Sequence, residues 1–262
     1  MNEELIFNCK NLSKTYSDSV GRKVQALKNV SLEIKKGETF GLIGESGSGK
    51  TTLGYTMLNL LNSYSGKIYF YGKDISEFNH CQKKEFRRKC QIIFQDPYSS
   101  IDGNMSISAL IREGLDIHHI GSSKNERNQI VEEIMESVGL DSSMKNRKPE
   151  TLSGGQRQRI AIAQALVLHP EFIVCDEIVS SLDVLIQAQV LNLLKDLQNK
   201  YFLTYFFISH DLNVVSYMAD RIAVMYKGEI VESGTTEKLM ENPEHPYTKN
   251  LFSYAGLSDR KL

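Results

Sequence analysis

The 262 residues carry 31 Lys and Arg against 32 Asp and Glu, a balance that gives a nucleic-acid backbone no general attraction and argues against a DNA or RNA partner. With 41% hydrophobic and 24% charged residues the composition suits a packed core rather than disorder, and the length has room for one sizeable α/β domain with an insertion. No apolar stretch, Ile160 to Leu168 and Leu203 to Ile208 included, approaches the ~20 residues of a membrane helix, and the first residues lack the parts of a secretory signal. A cytoplasmic chain is expected, with another chain doing any membrane spanning.

In chain order, Leu5 to Leu12 and Val30 to Ile34 alternate weakly and predict antiparallel strands covering one side. Thr39 to Ile43, Gln91 to Phe94, Phe172 to Cys175 and Thr204 to Ile208 are apolar, aromatic and β-branched with little alternation, as strands buried on both faces of a parallel sheet are. Helical periodicity follows in Leu53, Met57, Leu58 and Leu61, in Ile160, Ala163, Val167 and Leu168 before Pro170, and in Ile186, Val190, Leu193, Leu194 and Leu197. A doubly wound α/β core follows from that alternation. Asp96 to about Glu150 interrupts it with turn residues (Pro97, Asp102, Gly103) and a helix through Ile130, Ile134, Met135 and Val138 closed by Gly139, which reads as a helical insertion. After Val231 short helices are expected. Cys9, Cys81, Cys90 and Cys175 form no C-x-x-C pair and read as reduced, structural thiols; His118 and His119 have no metal-like partners and read as surface residues.

The four buried runs end in Gly44, Gln95, Asp176-Glu177 and Ser209-His210, which places polar residues on the edge where open parallel sheets bind ligands. Gly44-Glu45-Ser46-Gly47-Ser48-Gly49-Lys50-Thr51 matches G-x-x-x-x-G-K-[ST] between a strand and an amphipathic helix. Its glycines let successive backbone N–H groups face inward, the helix N-terminus adds partial positive charge, Lys50 supplies a full one, and Thr51 offers a hydroxyl to Mg²⁺. The pattern predicts a polyphosphate cradle for Mg-ATP. Phe172-Ile-Val-Cys-Asp176-Glu177 reads as a Walker B strand, Asp176 holding Mg²⁺ through its water shell and Glu177 polarising the attacking water. Leu152-Ser153-Gly154-Gly155-Gln156 opens a second helix as another anion-binding device, although Ser-Gly-Gly alone is an ordinary cap and turn.

Leu152 to Gln156 ahead of the Walker B strand resembles the signature of ATP-binding cassette (ABC) proteins, and the other marks stand in family order across nearly the whole chain. Tyr16, with Val24 beside it, resembles the aromatic that stacks on adenine; Gln95 resembles the Q-loop glutamine, a Mg²⁺ ligand; Ser180-Ser181-Leu182-Asp183 resembles the D-loop; His210 resembles the switch histidine. The resemblance implies a P-loop NTPase fold of α/β class with a mostly parallel sheet, an N-terminal antiparallel β subdomain and an inserted α-helical subdomain. Its expected division is a core of about 1–95 and 156–234, an insertion of about 96–155 and a short tail, 235–262. It further implies that ATP contacts Gly44 through Thr52, that Glu177, His210 and Lys50 are catalytic, and that residues 152–156 face the ATP of a second cassette in a head-to-tail dimer.

Phe94-Gln-Asp-Pro-Tyr-Ser-Ser, Val184 to Leu194, Met225 to Gly234 and His245-Pro-Tyr-Thr look like the oligopeptide, dipeptide and nickel importer subfamily. That implies a peripheral subunit at the cytoplasmic face of the membrane, paired with itself or a sister cassette on two permease subunits and fed by an extracellular solute-binding protein. Ile178 stands where the subfamily has proline and Ser181 where it has alanine; neither change removes a phosphate, metal or water ligand, but contacts near the D-loop are placed in doubt. The short C-terminal end leans towards nickel-type members. The rivals are a DNA-repair or chromosome cassette, which lacks support because no long coiled coil separates the Walker motifs, and a regulatory cassette without hydrolysis, which the presence of Glu177 and His210 opposes.

Overall fold

Residues 4–17, 23–96 and 101–254 are described by the structure, a computed structural model. The strands are β1 (Leu5–Ser17), β2 (Lys23–Lys35), β3 (Thr39–Ile43), β4 (Tyr64–Phe70), β5 (Lys73–Asp74), β6 (Cys90–Ile93), β7 (Phe172–Asp176), β8 (Thr204–Ser209), β9 (Arg221–Tyr226) and β10 (Glu229–Thr235). The α-helices are α1 (Lys50–Met57), α2 (His80–Lys89), α3 (Ile107–His118), α4 (Lys124–Ser137), α5 (Gly154–Leu166), α6 (Val184–Tyr201), α7 (Leu212–Met218), α8 (Thr236–Glu241) and α9 (Pro246–Tyr254). They fall into two units, Met1–Lys83 with Thr204–Leu262, and Lys84–Leu203.

In the first unit, β2-β1-β4-β5 form an antiparallel sheet. The register of β1 on β2 slips at four places, with Asn11 and Asn29 in the left-handed region at φ 55° and 52°. Such bulges reset the inside–outside alternation, which explains its weakness in the sequence. Ile6, Phe7, Cys9, Leu12, Leu27 and Ile34 are nevertheless buried. Beside this sheet in the same unit, β3 pairs in parallel with β8 and β9, and β10 returns antiparallel on β9. Every residue of β3 and β8 is buried, which is why neither alternates. Lys227 and Gly228, with φ 46° and 88°, make the two-residue turn whose twist suits the β9–β10 hairpin.

In the second unit, β6 and β7 pair in parallel, Ile93 opposite Cys175. The expected helical insertion contains α3 and α4, each opened by a serine: Ser106 accepts from the Ala109 N–H and Ser123 from the Glu126 N–H. Ile107, Leu110, Ile111 and Leu115 of α3, and Val131, Ile134 and Met135 of α4, recur at helical spacing and are buried, each fully buried side chain stabilising by roughly 1.5–3 kcal/mol. Pro97 and the end of the Phe94–Ser100 segment lie outside the described residues. Of the four free thiols, Cys9 of β1, Cys90 of β6 and Cys175 of β7 are buried, whereas Cys81 is exposed on α2.

Candidate functional site

Within the first unit the loop from Gly44 to Gly49 leaves the buried β3 and enters α1. Gly49 is the N-cap of α1, left-handed at φ 109°, and no side chain among the described residues caps the helix. A Cβ there would overlap the Ala26 carbonyl oxygen and come within 2.9 Å of Met225 Cε, so the position admits only glycine. Lys50 is 4% exposed, its ammonium donating to the carbonyl oxygens of Gly44 at 2.8 Å and Glu45 at 3.0 Å. Ser48 is 5% exposed, and its hydroxyl is buried without a hydrogen-bond partner among the described residues. A buried cation folded back on its own loop, an orphaned hydroxyl and a helix start with no side-chain cap together fit a polyphosphate anion. Glu45, Ser46, Gly47 and Thr51 line the loop's exposed side, with Thr52 half-buried behind them.

The back of this loop is built from main chain. The Gly228 N–H donates to the Ser48 carbonyl at 2.9 Å, and the Lys28 N–H donates to the Gly228 carbonyl at 2.8 Å. Tyr16 and Val24 are cross-strand partners on β1 and β2, 40% and 62% exposed, as an aromatic platform for a base requires. Lys14, which sequence reasoning missed, is 8% exposed; its ammonium caps the carbonyls of Asn62 and Ser63 and lies 5.2 Å from the centre of the Tyr16 ring. His210 is exposed at the end of β8, directly before the Asp211 carboxylate that caps α7.

Within the second unit β7 delivers Asp176, 1% exposed, and then Glu177. Glu177 sits in the left-handed region at φ 48°, strain that its surroundings over-determine. The Gln95 amide donates to a Glu177 carboxylate oxygen at 3.0 Å, while the Ser180 N–H and hydroxyl both donate to the Glu177 carbonyl, at 3.1 and 2.8 Å. The predicted Q-loop, Walker B and D-loop residues of this unit are thereby hydrogen-bonded to one another. Ile178, at the position where a proline was expected, is buried, and Ser181 is exposed.

Ser153 caps α5 in a capping box: its hydroxyl accepts from the Gln156 N–H at 3.3 Å, and the Gln156 side chain accepts from the Ser153 N–H at 3.1 Å. Ser153-x-x-Gln156 carries the sequence spacing of such a box, beside the anion-binding reading of the same helix start. Leu152 is buried beneath it, while Gly154 and Gly155 form the first turn. A Cβ on Gly155 would lie 2.6 Å from Ile186 Cγ2, so α5 and α6 meet at a hydrogen atom. Asp183 caps α6 by accepting from the Ile186 N–H at 3.0 Å, with Leu182 half-buried before it, and the next two residues, Val184 and Leu185, are 84% and 69% exposed.

The profile of the ABC transporter family matches residues 27–180. Among curated proteins the chain is 48% identical to the oligopeptide transport ATP-binding protein OppF of Bacillus subtilis (strain 168), over 98% of this chain and 84% of that one. It is also 48% identical to the dipeptide transport ATP-binding protein DppF of Lactococcus lactis subsp. cremoris (strain MG1363), over 95% and 80%. Among solved structures it is similar to the ATP-binding cassette MJ0796 in a dimeric post-hydrolysis state bound to ADP and Pi, with TM-score 0.78, 30% identity, and 88% of this chain and 98% of that one covered. It is similar too to cbiO1 from Clostridium perfringens, part of the ABC transporter complex cbiONQ, with TM-score 0.80, 26% identity, and 98% and 96% covered. Sequence marks, fold and relatives agree: the chain belongs to the ABC transporter family.

Proposed function

We propose that the chain is the ATP-binding and ATP-hydrolysing subunit of an ABC importer for oligopeptides or dipeptides. The observation that carries the reading is the loop of residues 44–51, with its buried Lys50 ammonium turned back on two loop carbonyls and its orphaned Ser48 hydroxyl. An ammonium held this way exchanges carbonyl dipoles for phosphate charge at small cost, since it is already desolvated and aimed into the loop. The names of the relatives, peptide transport ATP-binding proteins, support the peptide cargo.

Mg²⁺, when bound, would neutralise phosphate charge. For the chain's own residues we assign Thr51, Gln95 and Asp176 to its coordination sphere, Tyr16 to the adenine face and Lys50 to the phosphates. Glu177 accepts the proton of the attacking water, and His210 holds that water and the γ-phosphate. Ser153 and Gly155 serve the nucleotide of a second cassette, and the exposed Val184 and Leu185 beside the D-loop are apolar surface suited to burial by that partner. Two permease subunits, with an extracellular solute-binding protein acting through them, complete the assembly at the cytoplasmic face of the membrane. No helix among the described residues is long and apolar enough to cross a membrane.

The test is Mg-ATP binding and phosphate release by the purified chain, alone and with its co-expressed permeases. Saturable, Lys50-dependent binding and permease-stimulated release are expected. A folded chain that binds no Mg-ATP in either form refutes the proposal.

A further inference from the structure

The segment His245-Pro246-Tyr247-Thr248 marks the subfamily in sequence, yet none of the roles above uses it. In the structure it reaches the phosphate loop, within the same unit. Glu232 of β10 anchors it, its carboxylate accepting from the Glu244 N–H at 2.7 Å and the His245 N–H at 3.1 Å, and His245 Nδ1 accepts from the Tyr247 N–H at 3.2 Å. Thr248 and Phe252 bury the inner side of α9. The Tyr247 ring stacks on Tyr226 with centroids 4.1 Å apart and planes 30° from parallel. So placed, the Tyr247 hydroxyl accepts a hydrogen bond from the Glu45 N–H at 3.2 Å.

That N–H belongs to the peptide unit whose carbonyl, Gly44 O, accepts from the Lys50 ammonium at 2.8 Å. One peptide is therefore held at both ends, by a cation at its oxygen and by a phenol at its nitrogen. The two holds differ in fate, because the ammonium is the group that the phosphates recruit, whereas the phenol lies on α9 and stays behind.

We propose that Tyr247 is a positioning residue for the phosphate loop: its hydroxyl keeps the Gly44–Glu45 peptide in place when the Lys50 ammonium leaves it for the nucleotide. The inference rests on the ATP reading above. Without the hydroxyl the peptide keeps one hold in the nucleotide-free chain and loses both in the bound one, so the loss falls on the bound state.

The experiment uses the full chain, a fluorescent mant-ATP with Mg²⁺, and amide-resolved hydrogen exchange. Tyr247→Phe retains the stack on Tyr226 and removes only the hydroxyl, and with it the acceptor for the Glu45 N–H. It is expected to bind mant-ATP about fivefold more weakly, the size of one net hydrogen bond, while remaining folded without nucleotide by circular dichroism. Exchange at Glu45 should accelerate in the variant chiefly with nucleotide bound. In the parent, the Glu45 amide should remain protected after nucleotide binds, a readout that needs no variant; loss of that protection on binding overturns the proposal. So does a Tyr247→Phe chain that binds as tightly as the parent. A parent with no affinity for mant-ATP overturns the ATP reading and this one together, whereas a binding parent matched by the variant overturns this one alone.

Discussion

Glu177 combines three constraints on one residue: a left-handed backbone at φ 48°, a carboxylate gripped by Gln95 and a backbone carbonyl gripped by Ser180. In the role proposed for it, a general base must be aimed before it can act, and these bonds would aim the Glu177 carboxylate. Glu177→Gln keeps the size and removes the basicity, so steady-state phosphate release should fall by about 10²-fold or more while Mg-ATP binding persists. Unchanged turnover would remove Glu177 from the role of general base. Lys50→Ala should fail earlier, at binding, in a nucleotide titration, because the loop then carries no full positive charge. At Gly49 the argument is steric. A methyl group meets the Ala26 carbonyl and the left-handed backbone disfavours it, so Gly49→Ala should lower the melting temperature and abolish nucleotide binding together.

At the scale of elements, α5 depends on its capping box and on its close approach to α6. Ser153→Ala removes the cap and should destabilise the chain by about 1 kcal/mol in a denaturant titration. Gly155→Ala should cost more, since the new methyl at 2.6 Å forces Ile186 or the helix to move. How much of this was legible depended on distance along the chain. The phosphate loop, the Walker B strand and α6 announce themselves because glycine spacing, buried runs and helical periodicity are local. The β9–β10 hairpin gives no such signal: Met225 to Gly234 reads only as a subfamily mark, and the turn at Lys227 and Gly228 lacks the Asn-Gly or Asp-Gly usual for its shape. β4 and α7 were also unread, the first because only Ile68 and Phe70 of its seven residues are buried, the second because two turns give too short a period. No local pattern shows what Lys14 or Tyr247 touches; Tyr247 meets Glu45 across 202 residues of sequence.

For the molecule as a whole, the thiols provide a check that needs no nucleotide. Burial pushes the thiols of Cys9, Cys90 and Cys175 well above the ordinary range, so they carry almost no reactive thiolate at neutral pH, while Cys81 stands in solvent. A native sample treated with a maleimide should therefore label once, on Cys81, and four times after denaturation, as read by intact mass. Extra native labels would mean that β1, β6 or β7 is less well packed than described. The protected thiols also divide between the two units, Cys9 in the first, Cys90 and Cys175 in the second. Timed alkylation along a denaturant ramp, with Cys81 replaced by serine, thus becomes a clock with two hands. Simultaneous modification of all three would report a single cooperative collapse, and an early Cys9 or an early Cys90–Cys175 pair would name the half that opens first.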